Sequence, residues 1–180
     1  MSRSTFSFHD PDRFVSGTIG QPGQRAFYLQ AREGNRIVSV LCEKEQVQVL
    51  AEHLERILDE LTKLVDQPQQ VAAPVTVADD LDPLDQPLDE EFRVGSMSLA
   101  WDSGRQKIAI ELFSVDDEDE SGDSVDVRLS TGQARQFVAR SKALVESGRP
   151  ACPFCLQPIN PDGHICPRAN GYRRPLFARE

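Results

Sequence analysis

Three cysteines and a histidine fall within fifteen consecutive residues near the C-terminus: Cys152-Pro153-Phe154-Cys155 and, after eight residues, His164-Ile165-Cys166. A Cys-x-x-Cys pair presents two sulfurs from one tight turn, and zinc takes four thiolate or imidazole ligands tetrahedrally. The intervening Asn160-Pro161-Asp162-Gly163 is rich in turn formers, so the chain can double back and offer a second pair. Four ligands with no further candidate beside them describe a closed site. The expected cofactor is therefore a structural Zn2+ held by Cys152, Cys155, His164 and Cys166. The second pair has one intervening residue where a zinc ribbon usually has two, which bears on the ribbon label more than on the metal. Two alternatives are unligated thiols and a redox dithiol. The dithiol needs its reactive cysteine at the start of a helix, and Pro158 and Pro161 discourage one here.

A segment this short cannot fold on apolar burial alone, so the remaining residues must form a separate body. Residues Arg13 to Ile19, Ala26 to Ala31 and Ile37 to Leu41 read as strands, separated by the turn signals Gly20-Gln21-Pro22-Gly23 and Glu33-Gly34-Asn35. Val47, Leu50, Leu54, Ile57, Leu58, Leu61 and Val65 then recur at helical spacing, predicting an amphipathic helix from about Lys44 to Val65. The second half repeats the pattern. Strands are expected at Met97 to Trp101, Lys107 to Phe113 and Val125 to Leu129. A helix follows, with Ser130 and Gln133 as a capping box and Gly148 and Pro150 at its end.

A shift of 87 positions places Gln133 on Gln46, Phe137 on Leu50 and Val125-Val127-Leu129 on Val38-Val40-Cys42. The fold class read from this is α+β: two βββα units, each an antiparallel sheet under its own long helix, sharing one core. The units would span 13–66 and 92–148, within a body of 1–148. Duplication and chance likeness of two amphipathic helices both remain open. Between the units, 67–91 carries prolines at 68, 74, 83 and 87 and seven acids from Asp79 to Glu91 without Lys or Arg. It reads as a solvated linker or, alternatively, an acidic docking segment. Residues 149–180 form the zinc module and an Arg-rich tail.

Charge is unevenly divided. The net charge is -9, yet 148–180 holds five arginines against Asp162 and Glu180, a balance of +3, which leaves -12 on the rest. Such a body argues against a protein that tracks duplex phosphates with its whole surface. No run approaches the roughly 20 apolar residues of a membrane span, and Met1 to Asp10 lacks the apolar core of a secretory signal, so a cytoplasmic protein without membrane contact is expected. Clustered cysteines in a reducing compartment favour metal over disulfide. Cys42, in an apolar run, reads as a buried small hydrophobe.

Catalytic signatures are absent: there is no phosphate-binding loop, dinucleotide fingerprint, His-Glu-x-x-His or Gly-x-Ser-x-Gly. His9-Asp10 has no assignable nucleophile, and His53 reads as a surface residue. Asp116 to Glu120 lacks the spacing of a calcium loop. Trp101, Phe27, Tyr28 and Phe113 could form a stacking platform for single-stranded nucleic acid, but without interleaved basic residues they read as core.

The run Phe14-Val15-Ser16-Gly17-Thr18-Ile19-Gly20, the run Gly23-Gln24-Arg25-Ala26-Phe27-Tyr28-Leu29-Gln30-Ala31 and the tail Cys152-Pro-Phe-Cys155 with Gly163-His-Ile-Cys-Pro-Arg-Ala-Asn-Gly171 carry a resemblance. The chain resembles an actinobacterial family known as domain of unknown function number three thousand and ninety. The resemblance implies a small intracellular protein and no activity. It also implies encoding near a histidine-phosphatase-like and a lipid-kinase-like protein.

The leading functional reading is a non-enzymatic zinc-containing binding or adaptor protein with a protein partner. Its contact surface would include Arg168, Tyr172, Arg173 and Arg174. A second reading is nucleic-acid binding through that tail alone. A third is an enzyme with an unrecognised site, using His9, Asp10 and Asp12 on a phosphorylated substrate.

Overall fold

A computed structural model describes residues 4–64, 70–115, 122–160 and 162–168. Seven strands form one mixed sheet: β1 (Thr5–Phe8), β2 (Arg13–Ile19), β3 (Ala26–Glu33), β4 (Arg36–Cys42), β5 (Glu90–Asp102), β6 (Lys107–Ser114) and β7 (Ser124–Leu129). Helix α1 (Lys44–Leu64) follows β4 and α2 (Thr131–Glu146) follows β7. The spatial order is β1-β7-β6-β5-β4-β3-β2. Five of the strands and both helices stand where alternation and helical spacing place them, whereas β5 covers the expected Met97 to Trp101 but begins at Glu90, inside the expected linker. β1, only four residues long, pairs parallel with β7 and carried no signal of its own.

One continuous sheet replaces the expected pair of antiparallel sheets. β4 and β5 join the two halves as parallel neighbours, and β1 adds to the second half by a parallel pairing. The hairpins within each half are antiparallel, as their turn residues require. A single apolar cluster draws on both halves: Leu29 and Val40, Ile110 and Val127, and Leu54, Leu58 and Phe137 of the helices all belong to it. Cys42 is buried within this cluster, and burial, with the charge of Glu43 adding to it, pushes its thiol up to about 12.

The helices do not each cover their own half. α2 lies against β2, the edge strand of the first half, with Phe14 and Phe137 stacked at 4.9 Å between ring centroids. Beside this stack the hydroxyls of Ser16 and Ser141 bond at 2.8 Å, both fully buried. Gln46 and Gln133 each accept a backbone N–H three residues upstream, from Glu43 and Ser130, and so cap their helices alike. Their amides then reach across to the other half, Gln46 to Val94 O at 3.0 Å and Gln133 to Pro11 O at 2.7 Å.

Of the segment expected as a solvated linker, 70–89 is instead a strap. Val71, Ala78 and Leu84 are buried, which gives this acidic, proline-rich stretch the apolar anchors that its composition hides. It runs beside α2 and then crosses the sheet face opposite the helices. Arg13 grips it four times: Nε and Nη2 donate to the Asp80 carboxylate at 2.5 and 3.0 Å, and Nη2 and Nη1 donate to Asp82 O and Pro83 O at 2.9 and 3.1 Å. Arg140 of α2 donates to Asp80 and Asp82 and also to Ser16 O at 2.8 Å, covering the open edge of β2. Gln30 exchanges two hydrogen bonds with the Asp85 backbone. Arg135, 3% exposed, ties the strap's Ala72 O to Asp59 of α1. The missing Lys and Arg of the acidic stretch are thus supplied by the strands and α2.

Gly17 is small for the same reason. A Cβ at this position would stand 2.5 Å from Leu84 Cγ. Gly17→Ala should cost about 1–3 kcal/mol by overpacking, and Leu84→Ala about 2 kcal/mol or more. The double variant should lose clearly less than the two together, read from urea unfolding; strict additivity would show that the strap is not seated here. The strap also gives stability a pH dependence. Hydrogen bonds from Arg13 hold the Asp80 carboxyl below its ordinary range. The stabilisation is therefore present above the unfolded value of about 3.9 and is lost as pH falls through the lower folded value. Asp80→Asn should flatten the acid limb of a stability-versus-pH curve below about pH 4.

Candidate metal centre

Beyond α2 the chain makes two small turns. Ala151 pairs with Pro158, Ile159 N–H donates to Pro150 O at 2.8 Å and Cys152 N–H donates to Gln157 O at 2.8 Å. Leu156 N–H closes back on Cys152 O at 2.9 Å, with Leu156 itself in the left-handed region at φ 62°. This tight closure puts the sulfurs of Cys152 and Cys155 on one side. A second reversal, with Gly163 N–H on Asn160 O at 2.8 Å and Gly163 at φ 88°, returns His164 and Cys166 to them. Gly163 is the residue that such a backbone conformation favours.

The four residues named from spacing are brought together, their ligand atoms all within 4.8 Å of one another. Cys152 Sγ lies 3.8 Å from Cys166 Sγ, and Cys155 Sγ lies 3.3 Å from His164 Nε2. The sulfur separation is far beyond the roughly 2.05 Å of a disulfide. Ligands at about 2.3 Å for sulfur and 2.0–2.1 Å for nitrogen set tetrahedral edges of about 3.8 Å and 3.5 Å. Two of the separations match such edges, and the four ligand atoms together could hold one ion. Cys152 and Cys166 are buried, Cys155 and His164 half-buried.

The electrostatics favour a cation. The backbone N–H of Cys155, with that of Phe154 and the neighbouring thiols, lowers the Cys152 thiol to about 7 against the opposing effect of burial. At Cys155 the Gln157 N–H favours the thiolate, but burial and the sulfurs of Cys152 and Cys166 outweigh it and raise the pKa. Crowded sulfurs resist a second negative charge, and a dication among them removes that resistance.

Of the expected contact residues, Arg168 is exposed and folds back on the first turn, its Nη1 donating to Phe154 O at 3.0 Å. It braces the first turn beside the thiolates. Tyr172, Arg173 and Arg174 lie outside the described residues. Arg149 also braces the module, by a hydrogen bond to Asn160 Oδ1. His9, Asp10 and Asp12 do not converge. Lys107 holds the His9 carbonyl and the Asp10 carboxylate at 2.8 and 3.0 Å, while Asp12 accepts from Gly34 N–H at 2.6 Å. His9 and Asp12 also line different cavities. The four aromatics form no common platform, for Phe27 and Trp101 face the core while Tyr28 and Phe113 alternate to the other side of the sheet.

Sequence reasoning did not mark Phe154, Leu156 and Ile165 as surface groups. They stand within or beside the Cys-x-x-Cys and His-x-Cys turns and are 61%, 74% and 83% exposed. Adjacency to the candidate ligands was the available signal: Phe154 and Leu156 flank Cys155, and Ile165 lies between His164 and Cys166.

Exposure to a strong chelator should release one metal equivalent per chain and raise hydrogen exchange across 151–166, leaving the strands of the body protected. Cys155→Ser should bind metal far more weakly at unchanged body stability. An unchanged exchange pattern after chelation would show that no ion orders the segment.

A family model described as "Protein of unknown function (DUF3090)" matches residues 6–166. No curated protein and no solved structure matches the chain.

Proposed function

We infer, for a chain that belongs to the DUF3090 family of proteins of unknown function, that it is a binding protein whose C-terminal module is ordered by a structural zinc ion. The carrying observation is the closed set Cys152, Cys155, His164 and Cys166 with Phe154, Leu156 and Ile165 exposed around it. Three thiolates and an imidazole suit zinc among the common divalent ions, and a filled tetrahedron leaves no position for a reacting water. With a dication and three thiolates the site carries about -1 overall, and Arg168 sits where it offsets that charge.

The ion supplies ordering that so small a segment cannot obtain by burial, on the order of 10–16 kcal/mol in comparable peptides at neutral pH. The order holds three apolar side chains in water, an arrangement that costs solvation unless another surface covers them. Arg168 reaches the Phe154 carbonyl beside these apolar tips, and Arg149 reaches Asn160 of the same module. The fitting partner is therefore a protein surface with an apolar depression bordered by carboxylates.

Metal analysis of the purified chain should find one zinc per molecule. The tagged full chain should capture a stoichiometric protein from native lysate, and Phe154→Ala/Ile165→Ala should lose it while keeping its zinc. A partner retained by the double variant, or capture of nucleic acid in place of protein, would overturn the adaptor reading. A metal-free chain would overturn the zinc.

A further inference from the structure

Three cations meet where the body joins the module, away from the metal ligands. Arg25 stands just before β3, Lys44 is the first residue of α1 and Arg149 follows α2. With Gly23, Phe27 and Gly148 they line a cavity of 170 Å³. Among the described residues, none of the three has a carboxylate partner. Of the two acids that flank Lys44 in sequence, Glu43 is taken by Arg93 at 3.1 Å, and Glu45 is exposed and forms no ion pair among the described residues. A second cation-lined cavity, at His9, Arg105, Lys107 and Arg128, differs on this point, because each of its three cations is paired with an aspartate.

Two of the cations are held close together. The Lys44 ammonium and a terminal guanidinium nitrogen of Arg25 stand 3.2 and 3.9 Å from the point where a Cβ on Gly148 would lie. Any side chain there would displace Lys44. Arg25 is fixed by Ser147 Oγ at 3.2 Å and by stacking over the Phe27 ring at 5.1 Å, leaving further N–H groups unused. Lys44 Nζ makes no hydrogen bond to any described residue. Its place in the first turn of α1 also sets it against the positive end of that helix, where an anion is favoured and a cation is not. Arg25 and Lys44, both half-buried, and the exposed Arg149 gather like charge beside a helix N-terminus, an arrangement that a shared anion relieves.

We propose that this cavity binds a phosphoryl group, as free inorganic phosphate or as the phosphate of a small monoester, through Arg25, Lys44 and Arg149. Two guanidinium groups and an ammonium from three segments suit a tetrahedral dianion, each donating a charge-assisted hydrogen bond to a different oxygen. The volume is below the roughly 300–1,000 Å³ of pockets that enclose a drug-sized ligand, so the ester portion of a monoester stays outside. Because Arg149 also holds Asn160 of the module, a bound phosphoryl group would tie module and body together.

The test is an amide-resolved NMR titration of the full-length, metal-assayed protein with inorganic phosphate and, separately, methyl phosphate, against chloride at matched ionic strength. Saturable shifts at Gly23, Arg25, Lys44, Gly148 and Arg149 are expected, weakening with added salt. Lys44→Gln, which removes no hydrogen bond within the described residues, should keep the native spectrum and weaken binding by about tenfold or more. Binding of both probes assigns the site to monoesters, and binding of inorganic phosphate alone assigns it to the free ion. No saturable shift at low salt, an equal response to chloride, or wild-type affinity in Lys44→Gln overturns the proposal. The metal content of the same sample shows separately whether the zinc reading stands.

Discussion

The packing of α2 on β2 fixes where every later part of the chain can go. Phe137 on Phe14 and Ser141 on Ser16 lay the last helix of the second half along the outermost strand of the first. Because α2 ends beside the β2–β3 turn, Arg25 can reach its last carbonyls and Ser147, and Arg149 packs over Gly23. The metal-directed turns begin at the next residues. A helix packed on its own half would have delivered both the module and the cation-lined cavity elsewhere.

The same packing explains how an acidic, proline-rich segment becomes structure. With α2 at the sheet edge, Arg140 extends past β2 and meets Arg13 from the opposite face on one carboxylate, Asp80. Partly buried guanidinium groups satisfy strap carbonyls that would otherwise lose water without replacement. Three apolar side chains, Val71, Ala78 and Leu84, then suffice as anchors. The charges specify the path of the strap while burial at Gly17 and its neighbours supplies much of the adhesion, in keeping with the modest net worth of ion pairs near a surface.

The C-terminal segment works by the opposite economy. Among its described residues, the buried side chains are Cys152 and Cys166, two of the four potential metal ligands. Its four potential ligand atoms converge within 4.8 Å of one another, while its large apolar groups face water. A segment arranged in this way presents an apolar surface from very few residues.

Local chemistry made much of this legible in advance. Helical spacing from Lys44, alternation in five strands and part of a sixth, the Ser130–Gln133 cap and the four metal-directed residues are properties of neighbours in sequence, and short-range sterics and ligand geometry fix them. Cys42 was readable too, since an apolar run has only the core to enter. What remained hidden depended on partners far along the chain. β1 needed β7 as a template. The strap needed Arg13 and Arg140, from segments 40 or more residues away, to become ordered. The parallel join of β4 to β5, the crossing of α2 onto β2 and the meeting of Arg25, Lys44 and Arg149 leave no local pattern. Hydrogen bonding and apolar burial along each segment determine what that segment becomes. Only the closing of a shared core decides which segments face each other, because that choice rests on contacts no stretch of sequence contains by itself.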